Sequence, residues 1–159
     1  MYLMYDYARL PKDRSVLGSV AAAAERLFRK LSALDVNALP ISDYNRKYLG
    51  AKLASLTNTC QLYSFILSWA LAGTRVPLNQ LVFVDNGGGS GVLSLLASEL
   101  GIGTVVYNDI YDVSCHDAQV IGEAVGNKAS YYVHGDIDEL LTFLAASRVS
   151  TATQSPRTT

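Results

Sequence analysis

The chemistry-bearing residues of this chain gather in the stretch Leu81-Val-Phe-Val-Asp85-Asn86-Gly87-Gly-Gly89-Ser-Gly91. An apolar run ends in an acid, and alternate glycines follow. Glycine has no Cβ and reaches positive φ without strain, so a ligand can lie against the backbone there. The helix-like segment that begins at Val92 adds unpaired N–H groups at its start. An acid at the head of such a loop repels phosphate and suits a hydroxyl or a cation. Two more acids stand in similar places, Asp109 after Val105-Val-Tyr-Asn and Asp136 after the run to His134-Gly135.

The pattern of apolar residues says which elements carry these acids. Leu81–Asp85, Thr104–Asn108 and Ser130–His134 read as short strands. Val92–Leu100, residues from about Ser114 to Val125, and Ile137–Ala146 read as helices between and after them. Strand and helix in alternation predict βαβ units and a parallel sheet, and right-handed crossovers predict strand order 3-2-1. In such an open α/β sheet, ligands bind outside the carboxyl ends of the strands. Asp85, Asp109 and Asp136 are all expected at that edge.

The first 75 residues contain no strand pattern. Ser15 precedes a helical stripe of Val16, Leu17, Val20, Ala24, Leu27, Phe28, Leu31 and Leu34. A connector with Pro40 leads to Ser42 or Asp43 as a helix cap. Tyr44, Tyr48, Leu49, Lys52 and Leu53 keep a helical period, and Thr57 with Asn58 suggests a break or a fresh cap. Leu62, Phe65, Ile66, Trp69 and Ala70 form a further stripe, with Trp69 expected in the core. The division is therefore a helical leader over 1–75, a half-domain over 76–146, and a Ser/Thr-rich tail over 147–159 that is expected to be disordered.

Asp85-x-Gly87-x-Gly89-x-Gly91 after an apolar strand resembles the first motif of class I S-adenosylmethionine (SAM) dependent methyltransferases. Val105-Val-Tyr-Asn-Asp109-Ile110 looks like the family's second strand and its acid. His134-Gly135-Asp136-Ile137 looks like the third. The resemblance covers about residues 81–146. It implies a partial Rossmann-like three-layer α/β sandwich and a SAM cofactor. It also implies Asp85 at the methionine end with Asn86 and Gly87 beside it, Asp109 on the ribose, Ile110 and Ile137 along the adenine, and Asp136 on its amine. The reaction implied is transfer of a methyl group to an unidentified acceptor, which needs alignment more than acid/base groups. SAM carries hydroxyls, an amine, an ammonium and a sulfonium, each of which a carboxylate can hold.

The family's fourth strand should follow and pair beside the first, yet a polar stretch stands there. The chain thus resembles the N-terminal, cofactor-binding half, and an exposed edge is expected on Leu81–Asp85. The leader, a missing C-terminal half or a second copy would cover it. A non-catalytic SAM-binding or partner-dependent remnant remains open. A nicotinamide-dinucleotide domain needs Gly-x-Gly-x-x-Gly; Val92 and Ser94 stand where its third glycine should be. No Walker lysine is present.

The remaining candidates read more plainly. His116, Cys115 and His134 lack the clustering of a metal site or nucleophile, and no metal site is expected. Asp112, Asp117, Asp138 and Glu139 read as helix-start acids. Tyr2, Tyr5, Tyr7, Tyr44, Tyr48 and Tyr63 read as packing at the domain boundary, or as an aromatic lid over the site. Net charge over 159 residues is −1, which points away from nucleic acid. Residues 1–80 hold ten Lys/Arg against five Asp/Glu, and residues 81–159 hold three against nine. The basic half reads as solvated helix faces or as a surface for an acidic partner. Cys60 and Cys115 form no disulfide framework. With no signal peptide and no spanning segment, a cytoplasmic location and no membrane partner are expected.

Overall fold

Val20, Ala24, Leu27, Phe28 and Leu31 recur at helical spacing, and they form the buried stripe of the first helix. The computed structural model describes residues 14–152, with side chains from 18 to 147. Its elements are α1 (Arg14–Ser32), α2 (Asp43–Ala54), α3 (Leu56–Ala70), β1 (Val82–Asn86), α4 (Val92–Glu99), β2 (Thr104–Asp109), α5 (Asp112–Ala124), β3 (Tyr131–His134) and α6 (Ile137–Ala152). Short 3-10 turns occupy Val36–Ala38 and Leu78–Gln80. Tyr2, Tyr5 and Tyr7, and the side chains of Val16 and Leu17, lie outside the described residues.

The three strands are parallel in the order β1-β2-β3, as right-handed crossovers require. Phe83 pairs with Val105 and Asp85 with Tyr107. Pleating puts these residues on one face, where Val105, Tyr107, Phe83 and Tyr132 join the core with α4 and α5. On the opposite face, α6 packs on β3, and Val82 of β1 is 59% exposed. Among the described residues no strand pairs with the outer edge of β1.

The leader shares one core with the sheet half. α1 packs on α3 and α4, and Glu99 of α4 receives Arg26 at 2.9 Å and Lys30 at 2.8 Å. Part of the basic leader is thus neutralised by the acidic half rather than by solvent. Arg46 staples the α1–α2 connector by donating to the carbonyls of Val36, Asn37, Leu39 and Ile41. Ser42 caps α2, its Oγ accepting from Asn45 N.

Three expectations change. The α2–α3 break falls at Ser55, not at Thr57 and Asn58, and Thr59 Oγ1 bonds the freed Lys52 carbonyl. On α3 the buried row is Leu67, Ser68 and Leu71, while Ile66 is exposed and Trp69 is 62% exposed. α1 packs on α3 and shares with it a groove of about 700 Å³ lined by Cys60, Ser64 and Ser68, and Trp69 is not among its lining residues. Finally, α6 runs on to Ala152, past the expected end at Ala146. Residues 147–152 contain no Gly or Pro to stop a helix, and Ser147 Oγ bonds back to the Phe143 carbonyl. Residues 153–159 of the expected tail lie outside the described residues. No described helix is long and apolar enough to cross a membrane.

Candidate functional site

The turn that follows β1 has the backbone its glycines suggest, with φ of 73° at Gly87, 54° at Gly89 and 72° at Gly91. Gly88 matters for space. A Cβ there would stand 2.5 Å from the Tyr107 ring and 3.0 Å from Asp85 Oδ2. Gly87 N and Gly88 N both donate to the Asn108 carbonyl at 2.9 and 3.1 Å. Gly89 N donates to Asp109 Oδ2 at 3.0 Å, and Gly91 N to the Gly88 carbonyl. These four amides are all engaged by the chain itself.

Asp85 is 8% exposed and Asp109 6%. Asp85 Oδ2 accepts from Ser94 N at 3.1 Å and from Ser94 Oγ at 2.8 Å. Burial raises its proton affinity; the Ser94 bonds and Lys52 pull it back only in part, and the net shift is upward. Asp109 Oδ1 accepts from Tyr111 N at 3.0 Å. Tyr107 is fully buried and donates to the Gly89 carbonyl at 2.6 Å. Burial, then the Asp109 charge, pushes its phenol strongly upward, so it stays a neutral phenol.

Above this edge lies a cleft of about 730 Å³, walled by α2 and α3 on one side and by the loop on the other. Of the residues singled out from sequence, Asp85, Gly87, Gly89, Asp109 and Ile110 line it. Asn86 is exposed and follows the pleat to the other face. Gly91 is buried at the start of α4, where a Cβ would meet Ala118 Cβ at 3.0 Å. Asp136 and Ile137 lie outside the cleft. Asp136 is exposed, its Oδ1 accepts from Asp138 N, and its own N–H donates to Glu139 Oε2, an arrangement that caps α6. So two of the three strand-end acids meet, not all three.

Lys52 faces the same cleft. Its Nζ donates to Ser90 Oγ at 2.7 Å and lies 5.2 Å from the Tyr48 ring centroid and 5.4 Å from that of Tyr63. Burial lowers its proton affinity, against the upward pull of Tyr48 and Asp85. Tyr44, Tyr48 and Tyr63 line the cleft, and Tyr63 also packs against the core. Burial, then Asp85, pushes Tyr63 up to about 12.

Asp117 is not a helix-start acid. It sits inside α5, 1% exposed, and its Oδ2 accepts from Ser42 N, Ser42 Oγ and Asn45 Nδ2. It fixes α2 over the cleft, where the buried Asn45 Oδ1 has no partner. Asp112 does occupy the first turn of α5. His116 and His134 are exposed, and Cys115 is buried against the carbonyls of Asp109 and Val133. Among the described residues no group of three or more His, Cys, Asp or Glu could hold a metal. Sequence reasoning missed the roles of Lys52, Ser94 and Asp117. Only Lys52 left a signal, its i+4 spacing from Tyr48.

Comparison of the chain with protein-family models, with curated proteins and with solved structures returns no match.

Proposed function

We propose that the cleft binds S-adenosylmethionine and that the chain is a SAM-dependent methyltransferase, or the cofactor-binding portion of one. The observation that supports this most is the combination at the loop. Two buried carboxylates stand beside it, while the amides of Gly87, Gly88, Gly89 and Gly91 are turned to the chain's own acceptors. A phosphate-binding loop needs free amides, so a dinucleotide fits this edge poorly. A cofactor with hydroxyl, amine and onium groups fits it. When bound, SAM would supply an electrophilic methyl group. Asp109, through lone pairs left over from Gly89 and Tyr111, would accept from ribose hydroxyls. Asp85 would face the onium end, with Ile110 beside the base. Asp136 and Ile137, expected at the adenine from the resemblance, cap α6 instead and are not part of this proposal.

A second reading, a SAM-binding module completed by another chain, draws on the unpaired edge of β1 and the exposed Val82. Turnover of a methyl acceptor by the isolated chain separates the two.

The test is calorimetric titration of the full chain with S-adenosylhomocysteine, with NADH in parallel. Saturable binding of the first alone is expected. Asp109→Ala should weaken it by about 1–3 kcal/mol, the scale of a lost charge-assisted hydrogen bond. Binding of NADH alone, or of neither, sinks the reading.

A further inference from the structure

The mouth of the cleft carries more aromatic surface than packing requires. Tyr44 is 67% exposed and Tyr48 51%, yet their rings stack at 5.7 Å with an interplanar angle of 22°. Ile110 and Tyr111, from the loop after β2, also line the cleft and are 58% and 63% exposed. Apolar groups exposed around a single concavity mark a surface that a ligand covers.

The third residue on the Tyr44–Tyr48 face of α2 is Lys52, one turn further on. Among the described residues, Ser90 Oγ is the hydrogen-bond partner of its Nζ and no carboxylate lies within ion-pair distance. An ammonium has three donors. Two are therefore open toward the cleft, next to the exposed rings.

We propose that this mouth is an aryl-hydroxyl subsite. A planar aromatic ring lies against Tyr44 and Tyr48, and its hydroxyl oxygen sits on Lys52 Nζ. As a statement about the methyl acceptor, this rests on the SAM reading above. The alternatives fit less well. A cationic ligand meets the charge of Lys52 at 5.2 Å from the Tyr48 ring, which repels it. A polyanion meets a cleft lined by one cation and two acids. A phenol matches the group count, with one ring, one oxygen and one proton to place.

The proton has a destination. The Lys52 ammonium, by its charge and hydrogen bond, favours the phenolate over the phenol, and the proton leaves to water. The phenolate oxygen then forms a bond to the sulfonium methyl carbon. The carbon–sulfur bond breaks, and its electron pair stays on sulfur as a neutral thioether. The products are the aryl methyl ether, the thioether and a proton released to water, with Lys52 an ammonium throughout. No electron acceptor or further reactant is needed.

Para-nitrophenol is a suitable probe, because its phenolate absorbs visible light and its phenol does not. Absorbance titration of the full chain should show saturable binding, with the bound probe ionising at lower pH than the free one. Lys52→Met should abolish that shift and weaken binding about tenfold or more. Lys52→Arg, which keeps the charge, should retain the shift and serves if the methionine variant does not fold. Tyr48→Leu should weaken binding and leave the shift in place. A shift unchanged in Lys52→Met, or tighter binding of benzoate or of phenyltrimethylammonium, overturns the subsite. Parallel titration with S-adenosylhomocysteine separates the two claims. If it is silent while the phenol binds, methyl transfer falls and the subsite stands; if it binds while the phenol does not, the subsite alone falls.

Discussion

Asp85 takes two hydrogen bonds from Ser94 and still holds its proton more tightly than an ordinary aspartate, because burial outweighs them. That has a thermodynamic sign. The folded state binds a proton that the unfolded chain, with its aspartate near pH 4, has released. Stability therefore falls as pH rises from about 4 through the folded value, and stays lower above it. Asp85→Asn keeps an acceptor for Ser94 and removes the charge. It should unfold at a higher urea midpoint than the parent at pH 7, with the gain shrinking below about pH 4, and should bind S-adenosylhomocysteine more weakly. A variant that is less stable at neutral pH would show that the carboxylate is structural rather than held for a ligand. At this scale the sequence was legible where the signal is local. Asp85, Gly87, Gly89 and Asp109 announce themselves by spacing along a few residues. Lys52 showed only its helical spacing from Tyr48, because its partner Ser90 lies 38 residues away. Asp136 misled, because an acid after a strand is also an acid before a helix, and the α6 cap won.

Between elements, the contact that sets the position of β2 is backbone to backbone. Gly103 N donates to the Leu78 carbonyl and Thr104 N to that of Leu81, so the 3-10 turn at Leu78–Gln80 lies directly on the start of the strand. A Cβ on Gly103 would stand 2.0 Å from the Asn79 carbonyl oxygen, and neither backbone has a side chain's freedom to yield. Gly103→Ala should destabilise by about 3 kcal/mol, the upper end for overpacking. Gly50→Ala, in the middle of α2 with nothing within 4 Å of the added carbon, should instead stabilise by roughly 0.5–1 kcal/mol. Urea midpoints of the pair test the packing, and two changes of the same sign would contradict it. The strand–helix alternation was legible because the period changes abruptly at Leu81. The orientation of α3 was not. Apolar residues surround that helix, so its own sequence does not mark which side meets α1.

For the molecule as a whole, the described residues cover the two faces of the sheet unequally. α4 and α5 cover the first, while on the second α6 covers β3 and leaves Val82 exposed on β1. Trp69, the only tryptophan, is 62% exposed at the end of α3. Acrylamide should therefore quench its fluorescence in the native protein nearly as well as in the urea-unfolded chain. Strong protection in the native state would mean that a second chain covers this part of the surface in solution. The two halves of the molecule are also joined across long stretches of sequence: Arg26 meets Glu99 over 73 residues, and Ser42 meets Asp117 over 75. On the ribosome this sets an order of events. α1 emerges with Arg26 and Lys30 without their Glu99 partner, and α2 emerges without the Asp117 that anchors its cap. Both must wait until α4 and then α5 have left the exit tunnel. For most of its synthesis the leader is a surface without a partner, and the second half of the message completes the first.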